Sequence, residues 1–175
     1  MRLSTLGLAA AAAMLVATAQ ARADQPAANP LDKIPDKMPF DIPFGAPIGL
    51  DRAQAVILAA MTECKSHDWK VNVAVVDPGG SLVAFGRMDG AQIASITIAE
   101  HKARVAATFR RETKIFENAV DSGLTYVLSL DGIIASRGGI PLVEDGKLIG
   151  AIGASGGTGS QDEVCAKAGA AVVNK

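Results

Sequence analysis

From Gly138 to Ala170 the chain reads GGIPLVEDGKLIGAIGASGGTGSQDEVCAKAGA, two short apolar runs, a Glu-Asp-Gly turn, a glycine cluster and a helix start within about thirty residues. Gly139–Val143 and Lys147–Ala154 have strand length, and Glu144-Asp145-Gly146 supplies a turn between them, so this stretch predicts a β-hairpin running into a helix. Ser160-Gln161-Asp162-Glu163 has the spacing of a capping box, which predicts that the helix begins at Ser160. The glycines at 150, 153, 156, 157 and 159 match neither GxGxxG nor GxxxxGK[ST], and the lysine of the latter is missing. A tight turn with close strand-to-helix packing accounts for them, with an anion on the turn's amides as the minority alternative.

The earlier half repeats the hairpin-then-helix order. Ala53, Val56, Ile57, Ala60, Met61 and Cys64 follow Asp51 at i, i+3, i+4 spacing, predicting a helix from about Asp51 to Lys65. Val71–Val76, the turn Asp77-Pro78-Gly79-Gly80 and Ser81–Arg87 read as a second hairpin. Ser95–Phe109 is a helix with small residues Ala99, Ala103, Ala106 and Ala107 on one side. Thr113 caps a short helix to about Val120, and Ile133–Ala135 is read as a further strand. The expectation is an α+β domain with a five-stranded antiparallel sheet flanked by helices.

The motif VAVVDPGGSLVAFGRMDGA at Val73–Ala91, taken with Gly138–Ala170, resembles the GlcG/HbpS family of haem-binding proteins, whose domain also forms the C-terminal part of PduO-type cobalamin adenosyltransferases. The resemblance spans about Ile48 to Val173. It implies a profilin-like sheet, a homo-oligomer, and haem or a related tetrapyrrole as a non-covalent ligand of a carrier or sensor. It carries over no particular axial ligand.

The N-terminal region adds a location. Met1–Ala23 has Arg2, an apolar stretch from Leu6 to Ala19 and a small-x-small site at Ala21-Arg22-Ala23, the pattern of a secretory signal. Its apolar core is shorter than the ~20 residues of a spanning helix. Cleavage predicts a periplasmic or secreted protein with no membrane association, starting near Asp24. Removal of residues 1–23, which hold two arginines and no acid, takes 17 basic and 18 acidic residues to 15 and 18, a net charge of −3 over 152 residues. One domain fits that length, and nucleic acid has no electrostatic reason to bind. Residues 24–47 hold prolines at 26, 30, 35, 39, 43 and 47, too dense for helix, so they predict an extended arm ahead of a domain at 48–175. Phe40–Pro47 carries apolar side chains able to pack on its own domain or on a neighbouring subunit. That arm and the alanine-rich helix faces predict self-association.

Few residues can carry chemistry. His67 and His101 are the only histidines, which excludes a multi-histidine metal site. His67 reads as a solvated loop residue. His101 borders the apolar side formed by Ile98, Val105 and Phe109, where an imidazole could face a porphyrin, with Lys102 or Arg104 near the propionates and Met88 as a second, soft ligand. The alternatives are a His101 bonded within an interfacial helix and a Met88 in the core. Covalent c-type attachment is excluded by the absence of Cys-x-x-Cys-His. Asp77, Arg87 and Asp89 form the rival site, a small polar pocket for an organic acid, or else a structural ion pair. Cys64 and Cys165, each on the apolar stripe of a helix in an exported chain, are read either as a disulfide or as two buried thiols.

Overall fold

The computed structural model describes residues 34–38 and 40–174, so the predicted signal lies outside the described residues. Residues 34–38 are exposed and carry no helix or strand. The folded unit contains α1 (Leu50–Ser66), β1 (Asn72–Val76), β2 (Leu82–Arg87), α2 (Ser95–Thr108), α3 (Lys114–Asp121), a 3-10 turn (Thr125–Ser129), β3 (Gly139–Glu144), β4 (Lys147–Ser155) and α4 (Gly159–Ala170).

The sheet is antiparallel throughout, in the order β2-β1-β4-β3. It has four strands, one fewer than predicted. Ile133–Ala135 forms no strand, because the segment is docked by its ends. The Gly132 carbonyl accepts from His101, and the Arg137 amide donates to the Glu117 carboxylate at 2.7 Å. Pro141 lies in β3, an edge strand, where its missing N–H costs no ladder bond. Beyond it the Asn174 side chain behaves as a partial strand, accepting from the Val143 amide at 2.7 Å and donating to the Pro141 carbonyl at 3.0 Å.

Both faces of the sheet are covered, which is why β1 is a continuous apolar run. Val71, Val73 and Val75 join the core under α1 and α4, whereas Ala74 and Val76 face the alanines of α2. A Cβ on Gly153 would collide with the backbone of Ala99 and Ala103, so the glycine lets α2 lie directly on β4. The alanine stripe is thus spent on the protein's own sheet. On the opposite face Cys64 and Cys165 form a disulfide between α1 and α4, with Cα atoms 5.5 Å apart, which decides between the two readings of the cysteines.

The C-terminal part of the arm also packs on its own domain. β1 ends opposite Ala151, leaving the β4 backbone free at Leu148. The arm fills that gap: the Leu148 amide donates to the Pro43 carbonyl at 2.8 Å, and the Gly45 amide donates to the Leu148 carbonyl at 2.7 Å. The Arg111 guanidinium lies over the Phe40 ring at 3.2 Å, and Arg110 sits over Phe44 while donating to the Ile42 carbonyl at 2.8 Å. The alanine stripe is therefore occupied internally, whereas Phe44 of the arm stays 57% exposed. The large apolar side chains left exposed include Tyr126, Leu128 and Leu130 around the 3-10 turn.

Candidate functional site

The candidate residues do not form one site. His101 and Arg104 lie on α2, on one face of the sheet, whereas Met88 packs against the core on the other face. His101 Nε2 donates to the Gly132 carbonyl at 2.8 Å, so a metal at that nitrogen requires the loop contact to open. Arg104 is exposed, with its stem against Gly80 and its Nε donating to the Gly80 carbonyl at 3.4 Å. Lys102, expected near propionates, is fully buried. Its Nζ donates to Asp162 Oδ2 at 2.8 Å and to the Ala154 carbonyl at 3.3 Å. Burial pushes the Asp162 carboxyl up, and the adjacent Lys102 ammonium opposes the rise.

The Asp77, Arg87 and Asp89 pocket is not formed. Antiparallel pairing sets Asn72 opposite Arg87 and Val76 opposite Leu82, so Asp77 lies at one end of the hairpin and Arg87 and Asp89 at the other. Five residues of strand separate them, roughly 17 Å at ~3.3 Å per residue. Asp77 instead closes its own turn, its Oδ1 accepting from the Ser81 amide at 2.9 Å. Neither does Arg87 form the alternative ion pair among the described residues.

The glycine turn holds no open anion nest. The Gly157 amide donates to Asp162 Oδ1 at 3.0 Å and the Thr158 amide to Gln161 Oε1 at 2.8 Å. The N-cap is Thr158 with Gln161 completing the box, two residues before the predicted Ser160 and Glu163. The reason is that Asp162 and Glu163 are used elsewhere. Asp162 takes Lys102, and Glu163 accepts from Lys167 at 2.6 Å and Lys114 at 3.2 Å. Burial would raise the Glu163 carboxyl, but those two lysines outweigh it and hold the group below the usual carboxylate range.

One sizeable cleft does collect candidate chemistry. About 520 Å³ in volume, it opens between the C-terminal turn of α1 and the end of β2, with Arg87, Met88 and Asp89 on one side. The other side consists of Leu58, Met61, Thr62, Lys65, Asp68, Trp69 and Lys70. Register with Asn72 turns the Arg87 side chain toward the α2 face, leaving Met88 as the β2-end residue whose side chain packs on the α1 side. The Trp69 amide donates to the Cys64 carbonyl at 3.0 Å, and its ring stacks on His67 with centroids 4.3 Å apart. The disulfide thus anchors the turn from which the cleft wall hangs.

The model of HbpS-like haem-degrading proteins matches residues 48–171. The chain belongs to the HbpS-like family. Protein GlcG of Escherichia coli K12 is 45% identical over 103 residues, 59% of this chain and 77% of that protein. A crystal structure of an HbpS double mutant from Streptomyces reticuli is similar with a TM-score of 0.68 at 28% identity, covering 86% of this chain and all of that one. The crystal structure of a PduOC complex with haem is similar with a TM-score of 0.66 at 28% identity, covering 74% of this chain and 96% of that one. Family membership expected from Val73–Ala91 and Gly138–Ala170 is thereby shown. What sequence reasoning missed in this HbpS-like chain is the cleft. Its signal was Leu58, a leucine off the apolar stripe of α1 that forms a second row with Thr62 and Lys65 at i, i+4, i+7, and that is 68% exposed.

Proposed function

We propose that this protein binds haem or a related tetrapyrrole non-covalently, as an exported carrier or sensor. The observation that carries the reading is the likeness to PduOC solved with haem, which extends over 96% of that chain. Haem would supply an iron centre, which imidazole, thioether, thiolate or phenolate side chains can hold. Both cysteines are in the disulfide, so a thioether, an imidazole or the Tyr126 phenol is the donor available here. The organic-acid reading loses its support, because its three residues lie at opposite ends of a hairpin.

Haemin titrated into the mature protein is expected to give a saturable change in the Soret band with one equivalent per chain. A rise that stays linear with added haemin, as for haemin in buffer, overturns the reading. Export rests on the small-x-small site before Asp24 and accords with a disulfide, a bond that persists in oxidising compartments. Intact-mass measurement of the periplasmic or culture fraction is expected to give a chain beginning near Asp24. Protein found only in the cytoplasm with residues 1–23 attached contradicts it.

A further inference from the structure

We infer that the cleft between α1 and the end of β2 is the tetrapyrrole site, with Met88 as its iron donor and Lys65 and Lys70 as the partners of the ligand's carboxylates. The inference rests on the tetrapyrrole reading and names the site for it.

The shape comes first. A volume near 520 Å³ lies in the ~300–1,000 Å³ range of small-molecule sites, and the cleft is walled by Leu58, Met61, Trp69 and Met88. Leu58 is 68% exposed in the middle of a helix, apolar surface that the fold itself does not use. Trp69 is half-buried and stiffened by its stack on His67, so a flat aromatic ligand meets a wall already ordered.

Charge points the same way. Arg52, Lys102, Lys114, Arg137 and Lys167 are each in an ion pair, and Arg110 and Arg111 lie over the phenylalanines of the arm. Lys65 and Lys70, which line the cleft, are in no ion pair among the described residues, a state they share with Arg87 of the same cleft and with Lys37, Arg104 and Lys147 elsewhere. Two unpaired ammonium groups beside an apolar cleft complement a flat apolar molecule that carries two carboxylates. Asp68 and Asp89 share the rim and offset part of that charge, so the lysines act as local partners rather than through a net field.

The donor follows by chemistry. The cleft has no histidine, cysteine or tyrosine on its walls, leaving the thioethers of Met61 and Met88. Met61 lies across Gly86, where a Cβ would meet its methyl at 2.6 Å and its sulfur at 3.3 Å, so its end is engaged in packing α1 on β2. Met88 packs on the same core cluster but from the opposite wall, at the end of β2, where its main chain is fixed: its amide donates to the Val71 carbonyl and its carbonyl accepts from the Ala91 amide, each at 3.1 Å. His101 lies on the other face of the sheet with its Nε2 engaged.

The test titrates haemin and metal-free protoporphyrin IX into the wild type, Met88→Leu, the Lys65→Glu/Lys70→Glu double variant and Arg104→Glu, each checked for fold by circular dichroism. Met88→Leu is expected to alter the haemin spectrum while protoporphyrin affinity stays within about twofold, because only the iron senses the sulfur. The lysine double variant is expected to weaken both ligands by about tenfold or more, and Arg104→Glu to leave both unchanged. A wild type that binds haemin while the first two variants match it overturns the cleft and leaves the tetrapyrrole reading standing. A wild type that binds neither ligand overturns both.

Discussion

Replacing Cys64 and Cys165 together by alanine is expected to cost about 4 kcal/mol of folding stability. The disulfide closes a loop of 101 residues, and in the chain-entropy account a crosslink over ~100 residues removes about 4–5 kcal/mol of freedom from the unfolded chain. Total stabilities run from about 5 to 15 kcal/mol, so the loss is a large share. It also acts on the cleft. Cys64 ends the stretch of α1 whose carbonyl fixes the Trp69 amide, and α4 is its anchor. Urea unfolding followed by Trp69 fluorescence is expected to show a midpoint far below that of the oxidised wild type, with a similar shift on adding dithiothreitol to the wild type. A midpoint unchanged in the alanine variant contradicts the claim that the bridge holds α1 to α4.

Lys102→Met is expected to cost about 3–5 kcal/mol, because it strands the Asp162 carboxylate in a site where it is 2% exposed. Asp162 also accepts from the Gly157 amide, so it cannot simply swing out without opening the glycine turn. Adding Asp162→Asn is expected to recover much of the loss, since the amide oxygen still accepts from Gly157 while the uncompensated charge disappears. The pH dependence has a definite sign. A carboxyl whose folded pKa is raised gains stability as pH falls through that value and is fully relieved below its unfolded value of ~3.9. The single variant's deficit against the wild type is therefore expected to shrink between neutral pH and about pH 4, whereas the double variant, with no carboxyl at position 162, gains no such relief and its deficit does not shrink. A single variant as stable as the wild type at pH 7 would show that the ion pair is not buried in solution.

The parts of the fold that were legible in the sequence are those set by periodicity. The stripe from Ala53 to Cys64, the β-branched run through Val71–Val76 and the turn at Glu144-Asp145-Gly146 each have one low-energy solution, and the structure adopts it. Ile133–Ala135 was misread because three apolar residues between glycine and polar neighbours look alike whether they pair with a strand or dock on a helix. Lys102 was misread because a side chain's charge was weighed above its position. On α2 it falls inside the stripe of Ala99, Ala103 and Ala106, which buries it, and the partner it needs, Asp162, is sixty residues away. The N-cap slipped from Thr158 to Ser160 for a related reason, since Asp162 and Glu163 form long-range pairs that no local motif reveals. The site was the least legible part. His101 and Met88 stood close in sequence, but a sheet lies between them, and the cleft around Met88 draws its other wall from α1, where nothing but the off-stripe Leu58 marked it.

The most direct test is a crystal structure of the haemin-soaked mature protein with data at the iron absorption edge. The account predicts one iron peak per chain, close to the Met88 sulfur, with porphyrin density against Trp69 and its carboxylates toward Lys65 and Lys70. An ordered porphyrin beside His101, with the Gly132 contact opened, contradicts the cleft, and saturating haemin with no bound iron anywhere contradicts tetrapyrrole binding itself.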